Sequence, residues 1–192
     1  MARLPHVDPE TFSGDGDLLE TSMDDEALPE RYRGRFSTGA RHVHRAIANN
    51  PAMLRGFRDS NSTVWQESGL SSRERELAIL ASARASDSRY EWHQHVRHGL
   101  SVGLTPEEIR AVARGEDEAF PEEEAALVAY AAAVSGGTVD DETFERFADR
   151  YGRETVVGTT MLVGSYAGLA RALDAMGVEP EEAFVGWELE DL

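Results

Sequence analysis

From Phe36 to Met176 the sequence repeats one device: apolar residues at helical spacing, opened by a capping side chain and closed by glycine or proline. Nowhere does it alternate at period two for long enough to make a strand, so an all-α fold is expected. "FSTGARHVHRAIANNP" and "AMLRGFRDSNSTVWQESG" read as helices, each ended by turn residues. Ser71 with Glu74 makes a capping box for a helix running to about Ala85, and Thr105 with Pro106 and Glu108 opens another. Between them, "RYEWHQHVRHGLSVG" stops at Gly103, a natural left-handed cap. Helices follow over 121–135, 140–150 and 153–176. The pattern predicts one helical bundle domain of about seven to eight helices over residues 31–178. It is flanked by an acidic N-terminal arm, 1–30, and an acidic C-terminal tail, 179–192. The arm reads as extended or partly disordered, with Phe12, Leu18 and Leu19 available to pin it.

Charge and composition then remove several classes of function. The 192 residues include no cysteine, which excludes disulfides, thiolate zinc sites and catalysis by a thiol. Aspartate and glutamate number 36 against 19 basic residues, every one an arginine, for a net charge of −17. Such a chain repels phosphate and anionic lipid, so neither nucleic acid nor a membrane surface is an expected partner. Acid-rich and free of lysine, it suits concentrated salt, where repulsion among carboxylates is screened. The N-terminus has no basic patch followed by an apolar run, which predicts a cytoplasmic location. "TVVGTTMLVGSYAGLARAL" is interrupted by polar residues and reads as a buried helix rather than a membrane span. Its Gly164 and Gly168 fit either a close contact with a second copy or one within the bundle.

The residues that can carry chemistry crowd into "YEWHQHVRHG". On a helix, Trp92, Val96, Gly99, Leu100 and Gly103 share the packing stripe, while Glu91, His95 and His98 line its margin at i, i+4 and i+7. Glu91 and His95 can touch, either as a surface ion pair or as part of a site; His93 and His98 read as solvated. In the preceding helix Glu76 shares a face with Leu77, Ile79, Leu80 and Ala83, where a carboxylate is out of place. It is either neutralised by Arg73 or Arg84 in a buried pair, or kept protonated as a proton donor. If the two helices pack antiparallel through "SDSR", Glu76, Glu91 and His95 converge on one pocket. Glu91, His95 and His98, with His42 and His44, are also metal-ligand types. However, the two histidines of H-x-H on a helix point about 160° apart, and no complete ligand set is visible, so no metal or other cofactor is expected.

The ordered set "SSRERELAIL", "YEWHQHVRHG" and "LSVGLTPEEIRAVARG" resembles the carboxymuconolactone decarboxylase family, within the alkylhydroperoxidase D-like (AhpD-like) superfamily, over residues 42–178. The resemblance implies an all-helical domain forming homo-oligomers, commonly trimers or hexamers, that acts on a small-molecule substrate. Ser88 and Glu91 stand where the thiol peroxidase branch has its two redox cysteines, so peroxiredoxin-type chemistry is unavailable to this chain. Glu76, Glu91 and His95 match the positions that carry the proton relay in family members. The activity implied is decarboxylation of a small carboxylated lactone or related acid, a carbon-carbon lyase reaction. Tyr90 and Trp92 would wall the pocket or pack the core, and Arg73 or Arg84 would hold a substrate carboxylate. The alternatives are a peroxidase relative without its cysteines and an oligomeric binding protein without chemistry.

Overall fold

The computed structural model describes residues 2–20, 25–36 and 39–192. Among these residues there are eight α-helices, several short 3-10 turns and no strand. The helices are α1 (His42–Ile47), α2 (Pro51–Gln66), α3 (Ser72–Ala85), α4 (Arg89–Ser101), α5 (Pro106–Arg114), α6 (Glu122–Gly136), α7 (Asp141–Ala148) and α8 (Arg153–Met176). Both capping boxes form, with the Ser71 and Thr105 side chains accepting from the Glu74 and Glu108 amides while each glutamate reaches back to the cap. Gly115, Gly137 and Gly177 close α5, α6 and α8 in the left-handed conformation that a Cβ disfavours.

Helix α3 is the axis of the bundle, packing against α4, α5, α6 and α8. Its unbroken run from Glu76 to Ala83 is buried, as befits a helix apolar on every side. Ala78, Ala81 and Ser82 keep its surface low, and the alanine-rich α6 lies close along it; the Ser135 and Ser82 hydroxyls bond at 2.8 Å across the contact. The expected first helix is shorter than its pattern: it begins at His42, and Ser37 and Thr38 of the quoted segment lie outside the described residues. Phe36 is instead a buried anchor of the main core.

Both termini are fastened to this body. In the N-terminal arm, of which 21–24 lie outside the described residues, Val7 and Arg45 exchange two hydrogen bonds and Leu19 packs against Ala48 and Leu54. The C-terminal segment returns along α4, where the Trp92 indole donates to the Gly186 carbonyl at 3.0 Å and Val185 and Leu189 enter the core. Its apolar residues are scattered among glutamates, so the acidic composition concealed a packed strap.

Helix α8 is long and apolar enough by length and composition to cross a membrane. Here one face, including Leu162, Val163, Tyr166 and Leu173, is buried, and the other is exposed, with Val157, Met161, Gly164 and Gly168 on it. It is therefore only half buried, not buried all round as its composition suggests. Among the described residues nothing but the helix's own backbone lies within 4 Å of a methyl group placed at Gly164 or Gly168. At Gly158, by contrast, a methyl group would meet the Ser68 carbonyl oxygen at 2.5 Å. Gly158→Ala should therefore lower the unfolding free energy by about 1–3 kcal/mol through overpacking against backbone. Gly56→Ala, in open space on α2, should raise it by roughly 0.5–1 kcal/mol. Urea denaturation midpoints check both signs.

Candidate active site

A three-residue turn, Ser86–Ser88, folds α4 back along α3, with Asp87 taking a positive φ of 51° at its tip. Ser88, at the first redox-cysteine position of the resemblance, is the N-cap of α4 and accepts from the Glu91 amide. This reversal sets His95 against Glu76: the imidazole Nδ1 lies 2.8 Å from a Glu76 oxygen, and Nε2 lies 3.7 Å from a Glu91 oxygen. All three side chains are buried. The three residues singled out in the sequence thus meet, with one ring nitrogen of the histidine turned toward each carboxyl.

His95 and Glu91 open onto a cavity of about 560 Å³ between α1, α2, α4 and α8, while Glu76 stands behind the imidazole. Trp65 and Tyr166 flank the ring, their centroids 5.9 and 5.1 Å from that of His95. His98 lies beside His95 at 5.1 Å and also faces the cavity, so it is a wall residue rather than the solvated one expected. His93 departs from expectation further, being buried, accepting from the Val185 amide and bonding Glu182 at 3.1 Å. Its ring holds the C-terminal strap.

Burial governs the protonation of this group. It pushes Glu76 up to about 7, against the opposing pull of His98 and Arg75. Glu91 rises to about 8, again chiefly by burial, with the Glu181 charge adding to it. His95 is pushed down to about 3 by burial, then by the Arg75 and Arg41 charges, and His98 falls to about 3 mainly by burial. Near neutrality, then, the carboxyls tend to hold protons and the imidazoles to stay uncharged. A protonated Glu76 donates to Nδ1, which leaves the other tautomeric hydrogen on Nε2, facing Glu91 and the cavity.

The remaining sequence candidates divide. Tyr90 lines the cavity, with its hydroxyl accepting from the Val43 amide at 3.1 Å and donating to Glu181 at 3.0 Å. Trp92 does not line it: the indole is buried in the core and packs on Trp187 at 5.4 Å. Arg73 also lies away from the cavity, because Glu108 and Glu124 in the first turns of α5 and α6 draw its guanidinium outward. Arg84 bonds the Ala113 carbonyl and covers the Trp187 ring. Neither arginine neutralises Glu76. The wall instead carries Arg41, Arg58 and Asn61, which no local pattern distinguished from surface residues. Among the described residues no group of three or more histidines and carboxylates is arranged to hold a metal ion.

Residues 51–134, which contain the whole of α3 and α4, match the Carboxymuconolactone decarboxylase family. This core is similar to that family, and the similarity supports the carboxymuconolactone decarboxylase and AhpD-like reading. No curated protein matches the sequence. Solved structures similar to this carboxymuconolactone decarboxylase-like chain include the debrominase Bmp8, which superposes with a TM-score of 0.70 at 17% identity over 80% of this chain and 83% of that one. A cysteine-to-alanine variant of Bmp8 in complex with 2,3,4-tribromopyrrole gives 0.67 at 19%, over 76% and 82%. A putative antioxidant defence protein AhpD from Agrobacterium tumefaciens gives 0.64 at 21%, covering 70% of this chain and 94% of its own. An AhpD-core, peroxidase-related protein from Ralstonia eutropha gives 0.64 at 18%, over 88% and 96%. At such identities the likeness is one of fold, and the fold is AhpD-like.

The pKa directions fix how stability varies with pH. Glu76 and Glu91 are raised in the folded state, so their contribution is fully present below the ordinary carboxylate range and is lost as pH rises toward 7 and 8. His95 and His98 are depressed, so theirs is present above 6.5 and is lost as pH falls toward 3. Glu91→Gln removes one of the two alkaline losses. Thermal melts should show the variant with the higher Tm at pH 9 and the two proteins converging near pH 5, by roughly 2–4 °C per kcal/mol for a chain of this size.

Proposed function

We propose that the protein is an acid–base enzyme of the carboxymuconolactone decarboxylase type, acting on a small organic acid or lactone held in the α1–α2–α4–α8 cavity without any thiol. The observation that carries this reading is the buried imidazole with a carboxyl at each ring nitrogen, one behind it and one on the cavity wall. In decarboxylation the bond to the departing carboxylate breaks, carbon dioxide leaves, and the electron pair spreads onto the adjoining unsaturated carbonyl as a dienolate. Nε2–H of His95 hydrogen-bonds or protonates that system while Nδ1 takes the Glu76 proton, so the ring relays a proton without having to carry a full charge. Glu91 aligns Nε2 at the wall, and the single proton the dienolate takes comes through the ring.

Size also favours a single small ring. A cavity of about 560 Å³ walled by Trp65 and Tyr166 suits one, and the Bmp8 variant was solved with such a molecule, 2,3,4-tribromopyrrole. With no cysteine in the chain, reductive thiol chemistry on the ring lies outside this reading. We further propose that copies associate as a trimer or hexamer through the exposed stripe of Val157, Met161, Gly164 and Gly168, where the glycines leave room for a second helix.

Carbon dioxide release from a panel of small carboxylated lactones tests the chemistry. His95→Gln should lower kcat by about 10²–10⁴-fold, and the wild-type rate should fall as pH rises through 7 to 8, where the acids ionise. Unchanged turnover in a folded His95→Gln protein defeats the mechanism. For assembly, sedimentation of the Val157→Glu, Met161→Glu double variant should give the mass of one chain, and an unaltered oligomer rejects the stripe.

A further inference from the structure

Arg41 occupies the extended residue before α1, with φ −68° and ψ 143°. Only 5% of it is exposed, it lines the same cavity as His95, and its two terminal nitrogens, Nη1 and Nη2, have no hydrogen-bond partner among the described residues. A guanidinium cannot shed its charge as a buried histidine or carboxylic acid can, so enclosing one without a partner is costly. The ionised carboxylate that feels its charge, Glu181, is already engaged by the His42 amide, the Tyr90 hydroxyl and the Gln94 amide. A second guanidinium, Arg58, stands on the wall, with Nη1 3.3 Å from Nε2 of His44. In a chain of net charge −17, the wall of this cavity thus carries two guanidinium groups.

We propose that Arg41 is the anion-binding residue of this cavity, gripping with its two terminal nitrogens the carboxylate of a small cyclic acid whose ring rests among Phe57, Trp65 and Tyr166. The guanidinium fork matches the two oxygens of a carboxylate, and the three aromatic walls suit a flat apolar body better than a free inorganic ion. Arg41 binds and orients; proton movement stays with His95. The assignment rests on the cavity being the substrate site of the proposed enzyme, and its test is read by binding alone, so the two can fail separately.

Titration calorimetry with benzoate as probe and benzamide as its neutral counterpart decides the matter. Wild-type protein should bind benzoate at least about tenfold more tightly than benzamide, and Arg41→Met should erase that preference. Arg41→Lys, which keeps the charge but not the fork, should fall between. Without ligand, Arg41→Met should melt no lower than wild type, because a methionine fills the space without a buried charge; a residue serving only structure would lower the melting temperature. Equal affinity for benzoate and benzamide, undiminished benzoate binding in Arg41→Met, or a site that takes chloride and is not displaced by benzoate overturns the proposal. Glu76→Gln should still bind benzoate, so a failure of the acid–base reading leaves this result standing.

Discussion

The placement of one carboxyl group at the centre of the bundle organises the rest of the molecule. Glu76 lies on α3, the helix that packs against four others, and its carboxyl bonds the imidazole of His95 on α4. Water cannot solvate it there, so folding leaves it the choice of holding a proton or sharing one. The turn at Ser86–Ser88, the Ser88 cap and the small residues of α3 all serve to bring α4 within reach of that group. Once His95 is held from behind, its other nitrogen can face only Glu91 and the cavity.

Desolvation then inverts the electrostatics of the chain. On the surface the excess of carboxylates sets a strongly negative charge. At and behind the cavity wall the same physical cost raises Glu76 and Glu91 and lowers His95, His98 and His44, the last pushed down to about 4 chiefly by burial. Arginine alone among these groups cannot respond. Arg41 and Arg58 therefore dominate the field inside a protein whose overall charge would repel the anions they favour.

The terminal segments take part in this arrangement. Glu181, from the acidic C-terminal stretch, ties Tyr90, Gln94 and the first turn of α1 together behind the cavity, and buried His93 secures the same stretch through Val185 and Glu182. None of this was legible beforehand, because Val178, Val185 and Leu189 are spaced by glutamates with no single period. By contrast the helices announced themselves wherever a cap and an apolar stripe coincided, as at Ser71, Thr105 and the α8 run.

Local chemistry and periodicity were enough to determine the all-helical class and the starts of α3 and α5, and they marked Glu76 as a carboxylate on an apolar face, open to an arginine partner or to the Glu91–His95 line until the packing of α3 on α4 was known. Only the tertiary structure decided which arginine reaches the cavity, that Trp92 belongs to the core, and that His98 is a wall. Those outcomes depend on where long side chains from distant segments end, and Arg73, Arg84 and Arg41 are alike until the surrounding carboxylates are placed. Two of them find partners among backbone and acids at the rim; the third is enclosed beside His95 with its fork unfilled.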